Sequence, residues 1–181
     1  MSLDTVALVM EIEKRFEMRF ENDRMSRIET VEQIAGEVCR LLGVEVYRAN
    51  ERETAAAIVH SVLPGRREEE LMEFPLSPQV VGDLARSLEA VGCLLPVLGP
   101  FKSVRVFLIM QDPGGTLESP SIEQFIDRIV AYNHQVLIPS KIPPSRYGVL
   151  MVVLGIVAES TGVPILRIAL EDSLTIDLGL D

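Results

Sequence analysis

Two histidines and two cysteines are the side chains best suited to metal binding or nucleophilic catalysis. Their spacing puts none of them to that use. Cys39 and Cys93 belong to no CxxC pair, and no nucleophile signature surrounds either thiol. His60 and His134 lie in IVHSV and AYNHQ, both helical in texture, and neither begins an HExxH pattern. All four read as isolated, mostly buried side chains. There is no GxxxxGKS or GxxxxGKT loop, and DPGG at Asp112–Gly115 is a tight turn before it is a phosphate nest. The carboxylates say more. Asp and Glu number 27 against 17 Lys and Arg, a formal charge of −10, and such a chain repels a phosphate backbone. The longest apolar stretch, Gly148–Ala158, is short of the ~20 residues that a membrane span needs. The N-terminus MSLDTVALVMEIEKRF carries acids where a secretory leader carries bases. With 48% hydrophobic residues the chain can bury a core. The expectation is a soluble, cytoplasmic, acidic protein that binds no nucleic acid and spans no membrane.

The elements that must position any site are mainly helical. Ser2–Phe16 is the clearest amphipathic helix: Leu8, Ile12 and Phe16 recur at i, i+4, i+8, with Ser2 at the N-cap position and Asp4 in the first turn. A short helical turn around Asp23–Ile28 follows. Thr30 and Gln33 then form a capping box for Val31–Leu42, which Gly43 stops. Val44–Arg48 alternates weakly, as a strand would. Glu51–Leu63 and Ser77–Leu95 read as helices, the second ended by Pro96. Ser103–Met110 (SVRVFLIM) is the best strand, and Ile122–Tyr132 is again helical. Pro139, Pro143 and Pro144 mark a boundary before an apolar helix, Ser145–Glu159, closed by Thr161-Gly162. The rest is loop, with one alternating patch at Ile165–Leu170.

The two chain ends belong together. Read in the order C-terminus then N-terminus, with Met1 dropped, they give DSLTIDLGLD followed by SLDTVALVMEIEKRF. That string resembles the acyl carrier protein family around its prosthetic-group serine. The likeness runs forward to Leu42, through the T-V pair Thr30-Val31, and backward through Ser145–Gly162, which resembles the family's first helix. It covers residues 1–42 and 144–181. The family pattern is thus cut beside its serine, and its outer ends are joined through 43–143. Domain termini often lie close together, so such a permutation is physically reasonable. The implied architecture is an acyl-carrier-like four-helix bundle made from both chain ends, with a central α/β or α+β insert at 43–143. Closure within one chain, exchange of ends in a domain-swapped homo-oligomer, and an artificial rearrangement all fit this order.

The resemblance implies a site. Ser2 takes the place of the serine esterified to 4′-phosphopantetheine, whose thiol carries acyl groups as thioesters. Asp181 matches the aspartate before that serine, and Leu3 and Asp4 match the residues after it. A phosphodiester at a helix start meets orphan N–H groups and the positive dipole end. If Met1 is removed, the Ser2 amino group opposes that dipole unless Asp181 and the terminal carboxylate lie close. The apolar stripe Leu8, Ile12, Phe16, Ile28, Ile34 and Val38 would shield the acyl chain, though core packing explains it equally. The partner face would be Asp4, Glu11, Glu13 and Glu17 with Val6 and Met10 between them, steering onto basic patches of a phosphopantetheinyl transferase and of acyl-transferring and condensing enzymes. Ala7, Lys14 and Arg15 depart from the family's acidic run. On this reading the protein is a carrier for fatty acid, polyketide or related lipid synthesis and not an enzyme. The alternative is an interaction or scaffold protein with an unmodified bundle, and an enzyme housed in the insert comes third.

Overall fold

The computed structural model describes residues 3–25, 27–72, 76–96 and 120–180, with only the backbone for Leu3, Asp4 and Asn22. The protein is mainly helical. In chain order the α-helices are α1 (Leu3–Phe16), α2 (Asn22–Met25), α3 (Val31–Leu42), α4 (Glu53–Val62), α5 (Pro78–Glu89), α6 (Ile122–Tyr132), α7 (His134–Leu137) and α8 (Arg146–Thr161). Short 3-10 turns occupy Asn50–Arg52 and Ile165–Arg167.

Local chemistry explains most of the boundaries. Thr30 and Ser121 each accept from the N3 amide while Gln33 and Gln124 reach back to the cap, so α3 and α6 both start on capping boxes. Ser145 caps α8 through the Gly148 amide at 3.0 Å. Gly43 and Gly92, with φ of 67° and 77°, stop α3 and α5. In each case the glycine and the next residue donate back to the two carbonyls of a Schellman motif, Arg40 and Cys39 in one, Glu89 and Leu88 in the other.

Three expectations need correction. Val44–Arg48 is not a strand: the turn at Gly43 sends the chain off as irregular backbone, whose Val46 carbonyl accepts from the Arg146 amide at the start of α8. The helix expected over Ser77–Leu95 ends at Glu89, because Gly92 stops it before Pro96 is reached. The alternating patch Ile165–Leu170 begins as a 3-10 turn that buries Ile165 and Ile168 on successive turns. Among the described residues 43–143 is helical and irregular; the expected strand Ser103–Met110 and the turn Asp112–Gly115 lie outside them.

The helices share one apolar core. Helices α1 and α3 from the start of the chain, and α6 and α7 from its middle, all pack on α8. That explains why α8 is apolar all round: from Tyr147 to Val157 every residue but Leu150 is buried. Gly155 is the closest approach. A Cβ there would sit 2.3 Å from His134 Nδ1 and 2.4 Å from the Ala131 carbonyl oxygen.

Candidate functional site

The segment after α8 leads back to the start of the chain, held by contacts from three sides. Arg128 Nη2 on α6 donates to the Ile168 carbonyl at 2.6 Å. The Glu32 amide on α3 donates to the Leu170 carbonyl at 3.0 Å, and the Leu174 amide donates to the Glu29 carbonyl at 2.8 Å, around a β-bridge between Thr30 and Ser173. Within the segment, Asp172 and Asp177 carboxylates accept from the Ala169 and Ser173 amides. Gly179, at φ 70°, turns the chain so that the Leu180 amide reaches the Leu174 carbonyl. Leu174, Leu178 and Leu180 are buried beneath it.

The loop ends against α1. The Thr5 hydroxyl lies 3.5 Å from the Leu180 carbonyl oxygen, the outer limit of a hydrogen bond. The two tails therefore approach each other within one chain, with Leu180 of D-L-G-L-D beside Thr5 of S-L-D-T-V. Ser2 and Asp181 themselves lie outside the described residues, as do the side chains of Leu3 and Asp4.

The rest of α1 divides sharply. Leu8, Ile12 and Phe16 are buried, as are Ile34 and Val38 of α3, while Ile28 is half-buried. Val6 and Met10 are exposed, Met10 at 62%. Three acids of the expected partner face have partners at home. Glu11 accepts from the Ser160 hydroxyl at 2.7 Å, Glu13 from the Phe20 amide at 2.9 Å, and Glu17 pairs with Lys141. Arg15 donates to the Ile138 and Ser140 carbonyls at 2.8 and 3.0 Å, so the far end of α1 is tied to the chain after α7.

No protein-family model, curated protein or solved structure matches this chain. A functional reading therefore rests on its own residues. Burial pushes both thiols up, so Cys39 and Cys93 stay protonated and are poor nucleophiles. His134 is buried, its Nδ1 donates to the Ala131 carbonyl at 2.9 Å, and burial holds its pKa below the usual imidazole value. His60 is half-exposed and hydrogen-bonds Glu68 at 3.1 Å.

That pair opens a polar network which sequence reasoning missed. Arg52 bridges Glu68 at 2.9 Å and Asp127 at 3.2 Å, and Asp127 accepts from the Tyr147 hydroxyl at 2.7 Å. Burial raises the Asp127 pKa against the pull of Tyr147 and Arg52. The Tyr147 hydroxyl is pushed well above its ordinary range by burial and by Asp127, so it stays protonated and donates to that carboxylate. The hydrogen bond from His60 leads the effects that lower Glu68. These residues are scattered over the chain with no common spacing, so no motif announces them. Their geometry ties α4, α6 and α8 together. Among the described residues no His, Cys, Asp and Glu cluster could hold a metal ion, and no helix is long and apolar enough to cross a membrane.

Proposed function

We propose that the protein is an acyl carrier: Ser2 takes a 4′-phosphopantetheine arm, and the module tethers acyl intermediates without catalysing their chemistry. The observation that carries this reading is the contact between Thr5 and Leu180, which sets the D-L-G-L-D end of one tail against the start of α1 in the same chain. In this reading α8, α1, α2 and α3 are the four helices of a carrier-like bundle, and 43–143 is an insert between its outer ends. The arm supplies a flexible thiol that carries the acyl group as a thioester. The chain's own residues do the rest. A helix start offers unpaired N–H groups and a partial positive charge, both suited to a phosphodiester, and α1 begins at Leu3 directly after the serine. Val6, Met10 and, on the neighbouring loop, the 85% exposed Ile176 leave apolar surface near that start for a phosphopantetheinyl transferase and for acyl-transferring or condensing enzymes.

A second reading, an unmodified scaffold, has one observation in its favour: Glu11, Glu13 and Glu17 already make contacts within the chain. Incubation with coenzyme A and a promiscuous phosphopantetheinyl transferase separates the two. A carrier gains the mass of one arm, mapped to the peptide holding Ser2 and lost in Ser2→Ala. An unchanged mass leaves the scaffold.

A further inference from the structure

The loop that leads to Thr5 is anchored mostly by the first residues of the chain. Glu29, Glu32 and Thr5 supply three of its contacts, and those belong to the carrier-like segments. Arg128 does not. It projects from α6, inside 43–143, and fixes the loop at its upstream end through the 2.6 Å bond to the Ile168 carbonyl. Helix α6 also packs against the 3-10 turn Ile165–Arg167 just before that point, and Ile168 is buried. Burial disfavours the charged form of the guanidinium, an effect that Asp127 on its own helix and Asp172 and Glu171 on the loop oppose. The loop carries Glu171, Asp172 and Asp177 within seven residues, and a cation at its root offsets their mutual repulsion.

We propose that Arg128 is a positioning residue for modification at Ser2: by holding the Ile168 carbonyl, it sets the course of the loop that ends at Thr5. The 43–143 segment thereby governs how well a phosphopantetheinyl transferase engages Ser2. The proposal rests on the carrier reading and adds to it. A residue that orients others through a charge-assisted hydrogen bond is expected to act on recognition more than on chemistry.

The test uses the full chain with coenzyme A and a promiscuous transferase, in wild type, Arg128→Met and Arg128→Lys. The expected result is a KM for the carrier raised about tenfold in Arg128→Met at nearly constant kcat, as loss of one hydrogen bond from a charged donor would give. Arg128→Lys, which keeps the charge and one donor, restores most of it. Hydrogen exchange at the Leu174 amide rises in Arg128→Met while far-UV circular dichroism is unchanged. If Arg128→Met does not fold, Arg128→Gln takes its place, and a wild-type KM in either variant overturns the proposal. Wild-type chain that accepts no arm at Ser2 overturns the carrier reading, and the role of Arg128 falls with it. Wild-type chain that is modified, alongside a variant modified equally well, removes the role of Arg128 alone.

Discussion

Two glycines show how far single positions differ in this molecule. At Gly155 a methyl group would meet backbone and a buried ring at less than 2.5 Å, whereas at Gly36, on α3, nothing lies within 4 Å. Gly155→Ala should therefore cost about 3 kcal/mol, the upper end for an overpacked core. Gly36→Ala should stabilise the protein by up to about 1 kcal/mol by removing helix-interior glycine. Urea denaturation of both variants checks the pair, and equal effects would deny that α8 and α7 are in close contact. The ring that Gly155 accommodates makes a second prediction. Burial disfavours protonated His134 in the folded state, with Glu159 opposing and Arg15 assisting that effect. The unfolded chain then binds the proton more readily, so stability falls as pH drops below the ordinary imidazole value of about 6.5. His134→Gln, whose amide can still donate to Ala131, should flatten the stability profile between about pH 5 and 6.5, above the range where the carboxylates begin to titrate. A slope unchanged from wild type in chemical denaturation would contradict this.

Helices were legible in the sequence where their ends carry their own chemistry. The box Thr30/Gln33 with apolar residues at helical spacing fixes α3 to the residue, the helical texture of Ile122–Tyr132 matches α6, and Ser145 and Gly162 bracket α8. Reading failed where a tertiary contact or a competing stop decided the outcome. Val44–Arg48 has strand-like residues, yet its Val46 carbonyl serves the start of α8. Pro96 suggested the end of α5, but Gly92 acts first. The all-round burial of α8 could not be read either, since an apolar helix does not say which neighbours cover it. The same holds for the network between helices. Arg52, Glu68, Asp127 and Tyr147 meet from four separate stretches, and only folding joins them. Arg52→Met should loosen α4 from α6 and cost about 2 kcal/mol, because it leaves the half-buried Asp127 and Glu68 carboxylates without their shared cation. Thermal unfolding measures the loss, and a double variant with Asp127→Asn should lose less than the sum of the two single changes.

At the scale of the whole molecule, the order of the chain and the order of its packing differ. The last helix is the central one, the first and third helices lie against it, and the two tails finish side by side at Thr5 and Leu180. The resemblance at the tails was visible in the sequence because it lies in short motifs. Their meeting within one chain was not, since exchange between chains satisfies the same residues. The proposed permuted carrier would both close within one chain and take an arm, and one measurement addresses both. The chain is incubated with coenzyme A and a promiscuous phosphopantetheinyl transferase, separated by size, and the monomer fraction is weighed by intact mass spectrometry. The account predicts a monomer bearing a single phosphopantetheine on Ser2. A monomer that emerges with its original mass, or an arm found only on dimers, would contradict it.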